Sequence, residues 1–168
     1  TGLDIAASTV GGDLSLLSGN ASGITDSGIL TVGGNLDATT NDNAGVIELN
    51  DLAVDGTIGV VTDGLGNATI VNDENVNFAA STVGGDLDAT ATTGNISQSG
   101  SITVALTTTL ETIADDATIT LLDPSNSFTG AITVATSGTE GDVSIDGGSV
   151  TGLDIAASTV GGDLSLLS

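Results

Sequence analysis

The chain has 168 residues, 22 of them acidic, with no Lys, Arg or His and a formal net charge of −22. That charge repels nucleic acid and anionic membrane surfaces. The absence of His and Cys removes the usual ligands of zinc, haem and iron–sulfur centres, and no Ser–His, Cys–His or lysine-based nucleophile can be assembled.

Acidity on this scale often accompanies disorder, but here 39% of the residues are hydrophobic, almost all Val, Ile, Leu and Ala. They are interleaved at short intervals with Thr, Ser, Asn, Asp and Gly, which is the composition of strands and turns. Helix is disfavoured by 25 glycines and scarce Glu. The chain does not begin with Met and shows no signal peptide, as expected of a segment of a larger protein.

Residues 1–18 (TGLDIAASTVGGDLSLLS) return unchanged as residues 151–168. The expected organisation is one full repeat, 1–150, followed by the start of the next identical one, 151–168. A pair ending in Val recurs at Thr9-Val10, Thr31-Val32, Ala53-Val54, Thr82-Val83, Thr103-Val104, Thr133-Val134 and Thr159-Val160. The spacings are 22, 22, 29, 21, 30 and 26 residues. Units of 21 or 22 residues fit one solenoid coil of three short strands, and the longer ones are expected to carry extra loop residues. Within units, Leu30-Thr31-Val32, Ile102-Thr103-Val104 and Ile132-Thr133-Val134 read in–out–in. Gly11-Gly12, Gly33-Gly34 and Gly84-Gly85 follow as turns in which positive φ would cost little. Leu14, Leu36, Ile58 and Leu87 come next, and stacking would place them in one inner ladder beside a Val ladder. Thr9, Thr31, Thr82, Thr103 and Thr133 would form one outward ladder. Each unit needs neighbours above and below to complete its core.

Residues 6–14 (AASTVGGDL) recur as residues 79–87, which divides the long repeat into two related halves, about 10–82 and 83–159. The similarity fades near residues 72–78 and 121–128, the expected loops, and the single proline, Pro124, lies in a turn-forming context. Phe78 and Phe128 are expected to cover loops or pack at corners. The resulting expectation is an all-β fold, a right-handed parallel β-solenoid (β-helix) with about six coils per 150-residue repeat.

Residues 94–104 (GNISQSGSITV), 24–40 (ITDSGILTVGGNLDATT) and 123–134 (DPSNSFTGAITV) resemble the coils of filamentous-haemagglutinin-type proteins. These are large bacterial exoproteins with right-handed β-helical shafts used as surface fibres and adhesins. The resemblance implies a secreted, extracellular or cell-surface protein and carries over no catalytic residue.

The acids are the chemically assertive groups. Six coils about 4.8 Å apart would carry roughly one negative charge per 1.5 Å, close to the density at which duplex DNA condenses counterions. No cofactor is required, but Ca²⁺ or other divalent cations would suit such oxygen ligands. The candidate metal-binding residues are the adjacent pairs Asp115-Asp116 and Asp73-Glu74, together with Asp13 and Asp86, which follow the turn; the bland alternative is a solvated face. Asp13, Asn35, Thr57 and Asp86 are expected to follow one another in successive aligned units. A glycosidase would need substrate-stacking aromatics, and only two aromatics exist, so no enzyme is expected. The sequence therefore points to a structural repeat segment of a giant extracellular fibre, stalk or sheath. Its partners would be neighbouring copies along the axis and lateral fibres through cations, with no nucleic acid and no membrane insertion. The alternatives are an adhesin segment binding a host or glycan surface, and a non-covalently stacked filament subunit.

Overall fold

In the computed structural model, residues 1–148 and 152–168 are described. Every regular element among them is a strand. The strands form two parallel sheets, of nine and eleven strands, whose inward side chains merge into one apolar core. This is a β-solenoid: each coil lays strand on the first sheet, crosses, and lays strand on the second.

Alternation dictates the core. In Leu36–Thr40, Ala68–Asn72 and Leu87–Ala91, every other residue is buried. Coil by coil, Leu3, Ile24, Ile47, Ala68, Leu87, Thr108, Ile132 and Ile155 align in the first sheet. In the second, Leu14, Leu36 and Ile58 align, Ile58 meets Phe78, and Val76, Ile96, Ile119, Val143 and Leu164 continue the stack. These rows define coils 1 to 8. Seven steps separate Leu3 from Ile155, so the long repeat holds seven coils, one more than the spacing of Val pairs suggests.

The difference has a specific cause: the Val pairs do not stay on one face. Thr9, Thr31 and Ala53 stack in the first sheet. Thr82 and Thr103 stack in the second, above Val61, and Thr133 is back in the first. The 29- and 30-residue spacings are therefore about one and a half coils, not single coils with long loops. For the same reason Leu87 does not extend the Leu14, Leu36, Ile58 ladder, and the outward threonines form separate short ladders.

In coils 1, 2, 4, 5 and 6 one side is a pair of short strands and the other is a single strand. In coils 1 and 2 the pair lies in the first sheet: Leu3–Ile5 with Ser8–Val10, then Ile24–Asp26 with Leu30–Val32. In coil 3 the two merge into the bent strand Ile47–Val54. In coils 4 to 6 the pair lies in the second sheet: Val76–Phe78 with Ser81–Val83, Ile96–Gln98 with Ile102–Val104, and Ile119–Leu121 with Ser127–Phe128. The doubled side thus changes sheet between coils 3 and 4.

The expected loops shrink accordingly. Phe78 and Phe128 are fully buried within strands, over Ile58 and Val104 respectively, so they are core residues and not loop covers. Pro124 does sit in a tight turn: the Asn126 N–H donates to the Asp123 carbonyl at 3.0 Å and the Ser125 N–H to Asp123 Oδ1 at 2.8 Å. Positive φ among the glycines occurs at Gly23, Gly64, Gly138 and Gly148, not at Gly11-Gly12, Gly33-Gly34 or Gly84-Gly85. At Gly33-Gly34 and Gly84-Gly85 what requires glycine is close stacking, whereas a Cβ on Gly11 or Gly12 meets nothing within 4 Å. A Cβ on Gly84 would overlap the Gly64 carbonyl oxygen, and one on Gly85 would overlap Asn67 Oδ1 and the backbone of Leu65 and Gly66.

Candidate functional site

A parallel coil leaves backbone N–H groups unpaired wherever the chain turns a corner, and such groups need acceptors. Carboxylates and amides on the coil beneath supply them. Asp13 Oδ1 accepts the Asn35 N–H at 2.8 Å, and Asn35 Oδ1 accepts the Thr57 N–H at 2.9 Å. At a second corner, Asn67 Oδ1 accepts from the Asp86 N–H and Asp86 Oδ1 from the Thr107 N–H. At a third, Asn75 serves Asn95 and Asn95 serves Thr118. Asp142 accepts from the Asp163 N–H at 2.7 Å. Asp26 caps the bend in Ile47–Val54 with both oxygens, accepting from the Asn50 and Asp51 N–H groups. Each of these acceptors serves the coil above it.

This places the candidate metal residues. Asp13 and Asp86 are corner acceptors on different sheets, so Asp86 does not continue the Asp13, Asn35, Thr57 row. The Thr107 hydroxyl, donating at 2.7 Å, and then the Thr107 N–H hold the Asp86 carboxyl below the usual carboxylate range. Asp115 Oδ1 accepts the Ser137 hydroxyl at 2.7 Å, and Asp116 Oδ1 accepts the Glu140 N–H at 2.9 Å, with Asp116 itself at φ 64°. Asp115, Asp116 and Glu74 share one open groove of ≈ 460 Å³ with Asn75 and Asn95. Asp73 lies apart from them, in a groove with Ile29, Asp51 and Thr92, and its carbonyl accepts from the Thr93 hydroxyl and N–H. Among the described residues, no three acidic side chains form a group that could hold a metal ion. Of the candidates, Asp13, Asp86 and Asp116 accept backbone N–H groups and Asp115 accepts a hydroxyl.

A second set of polar residues escaped sequence reasoning, and it seals the places where the doubled side changes sheet. Val54 ends the column of short strands in the first sheet. The buried Asn72 amide accepts its N–H at 2.9 Å and donates to its carbonyl at 3.1 Å, standing in for a missing strand. Across the core, the column begun by Ser81–Val83 starts with a serine cap: Ser81 Oγ donates to the Ala79 carbonyl and accepts the Val60 N–H at 3.1 Å. Ser158 repeats this with Ala156 and the Val134 N–H. Buried Asn126 ties coils 5, 6 and 7 together through the Ile102 N–H, both polar atoms of the Gln98 amide, and the carbonyls of Leu121 and Asp146. The available signal was Asn72 at an inward position of an otherwise apolar alternation, and Ser at the third position of each copy of AASTVGGDL.

No curated protein and no solved structure matches the chain. The family described as repeats of unknown function (DUF5649) matches twice, over residues 1–64 and 65–135. The junction of the two matches falls between strands Ile58–Val61 and Ala68–Asn72, where the doubled side changes sheet. With most of its length matched, the chain belongs to this family of repeats.

Proposed function

We propose that this chain is a shaft segment of a giant tandem-repeat exoprotein of the filamentous-haemagglutinin type, a mechanical and not an enzymatic element of an extracellular fibre. The observation that carries the reading is that one 18-residue sequence forms both the first and the last coil of a seven-step stack. Each further repeat adds seven coils, about 34 Å at 4.8 Å per coil, with the same core and the same corner caps. Twenty of the acids lie in residues 1–150, the others being Asp154 and Asp163. That is roughly one charge per 1.7 Å, the linear density of duplex DNA. The cations such a rod gathers form an atmosphere that permits lateral packing of fibres. Absence of Lys and Arg removes every trypsin-type cleavage site, an advantage outside a cell.

The test is the size and form of the native protein. A denaturing gel should show a polypeptide many times 16.1 kDa, and electron microscopy should show rods whose length grows by about 34 Å per repeat. A native product that runs as a single repeat and forms no rods would overturn the shaft reading. Saturable binding of this segment to a glycan or host surface would replace it with the adhesin reading.

A further inference from the structure

We propose that the outer face of the second sheet across coils 3 to 6 is the surface on which a second copy of this chain lies alongside the first, giving a pair of rods joined without bridging cations. The strand register shows how the carboxylates are distributed. On the first sheet, Thr25, Glu48, Thr69, Asp88 and Thr109 follow one another outward on successive coils, so that acid and threonine alternate. The acids are thereby held two coils apart, about 9.6 Å, which relieves repulsion between like charges on neighbouring strands. On the second sheet the outward rows are Thr39, Val61, Thr82, Thr103 and Ser127 and, beside them, Asn77, Ser97, Thr120 and Ser144. Neither row contains an acid. In coils 3 to 6 the first-sheet strands carry Glu48, Asp51, Asp88, Glu111 and Asp115, and the second-sheet strands carry none.

Solubility alone would ask for the same alternation on both faces. A chain of net charge −22 can bring a like-charged copy into contact only where carboxylates are missing, because burying them unpaired is costly. The face is bounded by Asp37 on coil 2 and Asp146 on coil 7. The one acid within it, Asp123, lies in the turn at Pro124, where its Oδ1 accepts the Ser125 N–H. Val61 and Leu122, 39% and 47% exposed, supply apolar surface among the hydroxyls. A second copy matches this face because its own rows recur at the same step of about 4.8 Å along the axis. Paired face to face about a two-fold axis, two rods turn their acidic first sheets outward, so association stops at two. Four coils rise about 19 Å, and a face roughly 20 Å wide offers roughly 400 Å² per copy, half the ~800 Å² that each partner gives to a stable interface. One repeat therefore pairs weakly. A tandem array pairs tightly, because each further repeat adds a contact already held in place. Only that last step rests on the shaft reading; the face itself belongs to the 168-residue chain.

Self-association of the 168-residue chain tests this. In about 0.15 M NaCl with chelator present, the Debye length is about 8 Å. Sedimentation there, between about 10 μM and about 1 mM protein, should show the monomer giving way to a species of twice 16.1 kDa and nothing larger. Thr82→Asp/Thr120→Asp should weaken the dimer about tenfold or more, since each new carboxylate would face the partner. Thr31→Asp/Thr133→Asp places the same two charges among uncharged neighbours on the first sheet and should leave the dimer as in wild type. A spin label on Thr103→Cys, in a chain otherwise without cysteine, should lose mobility as the dimer forms, and one on Thr109→Cys should not. The labels report the face even where an aspartate variant fails to fold. A chain that stays monomeric throughout that range overturns the proposal. So does a dimer that needs Ca²⁺, one that both aspartate pairs weaken alike or neither affects, or immobilisation at Thr109 in place of Thr103. None of these results touches the shaft reading, which stands or falls on the size and length of the native rods.

Discussion

Residues 6–14 and 79–87 are the same nine amino acids built into opposite sheets. Ser8–Val10 lies in the first sheet with Leu14–Ser18 following in the second, whereas Ser81–Val83 lies in the second with Leu87–Ala91 following in the first. Local structure is the same in both: a three-residue strand, a two-glycine bend, then the next strand. The nonapeptide therefore encodes a corner and not a face. The face is set by how many residues separate the copies, and 73 residues make about three and a half coils here. The two copies also differ in surroundings. The first lies on coil 1, which within residues 1–168 pairs only with coil 2, and the second lies between coils. Their unequal sensitivity to the same substitution measures what stacking adds to a fixed local sequence.

The largest contrast is expected at the leucine that ends the word. Leu87 is fully buried between Ala68 and Thr108, so Leu87→Ala should cost about 3 kcal/mol in a denaturant melt, a transfer loss plus a cavity. Leu14 is covered from above by Leu36 but only partly buried, and Leu14→Ala should cost about 1 kcal/mol. Equal costs would mean that coil 1 is covered from below in solution.

Next comes the first glycine of the bend. A methyl group on Gly84 would meet the Gly64 carbonyl oxygen, whereas one on Gly11 meets nothing within 4 Å. Gly84→Ala should cost about 2 kcal/mol as the coils are forced apart, while Gly11→Ala should change stability by less than about 0.5 kcal/mol. Chemical melts of the two single variants decide it. If both are neutral, the stacked coils yield to the added methyl group and close packing is not why glycine stands there.

These contrasts show what could be read from the residues and what could not. The strand-and-turn grammar was legible, because alternation, glycine bends and Asx-rich corners are local properties. The parallel solenoid followed from the repeat. The coil count was not legible: Thr82-Val83 looks like the next rung after Ala53-Val54 but rests on Val61, across the core. Nothing local to a nonapeptide identifies its sheet. The corner caps were only half legible. Asp13, Asn35 and Thr57 were rightly placed in register, but the register did not reveal that Asp13 and Asn35 each accept a specific N–H from the coil above while the Thr57 hydroxyl donates to Asn35. Asn72 was hidden because a buried amide standing in for a strand depends on a neighbour 18 residues away.

A smaller effect of opposite sign is expected one coil above the word. As Leu36 lies over Leu14 in the second sheet, Thr108 lies over Leu87 in the first. Thr108 is 1% exposed and its hydroxyl has no hydrogen-bond partner among the described residues. Replacing it with the isosteric valine removes an unsatisfied buried group, so Thr108→Val should raise stability by about 1 kcal/mol. A thermal melt showing destabilisation would indicate that the hydroxyl finds an acceptor in solution.

The smallest effect separates the two aspartates of the word. Asp86 accepts both the hydroxyl and the N–H of Thr107, and its pKa is lowered. Asp13 accepts only the Asn35 N–H. A carboxyl whose pKa is lower in the folded than in the unfolded chain contributes stability that is complete above the unfolded value, about 3.9, and is lost as the pH falls through the folded one. Solvent screening keeps this contribution under about 1 kcal/mol. Asp86→Asn preserves the acceptor oxygen while removing the charge, and Asp13→Asn is the matching control for relief of general repulsion in a chain of net charge −22. The melting temperature of wild type relative to Asp86→Asn, corrected by that control, should favour wild type near pH 5 and converge as the pH falls toward 2. A difference that grows on acidification would mean that the Thr107 bonds do not hold the charged form. The lowered titration of Asp86 would then belong to the isolated geometry of the corner and not to the stability of the stack.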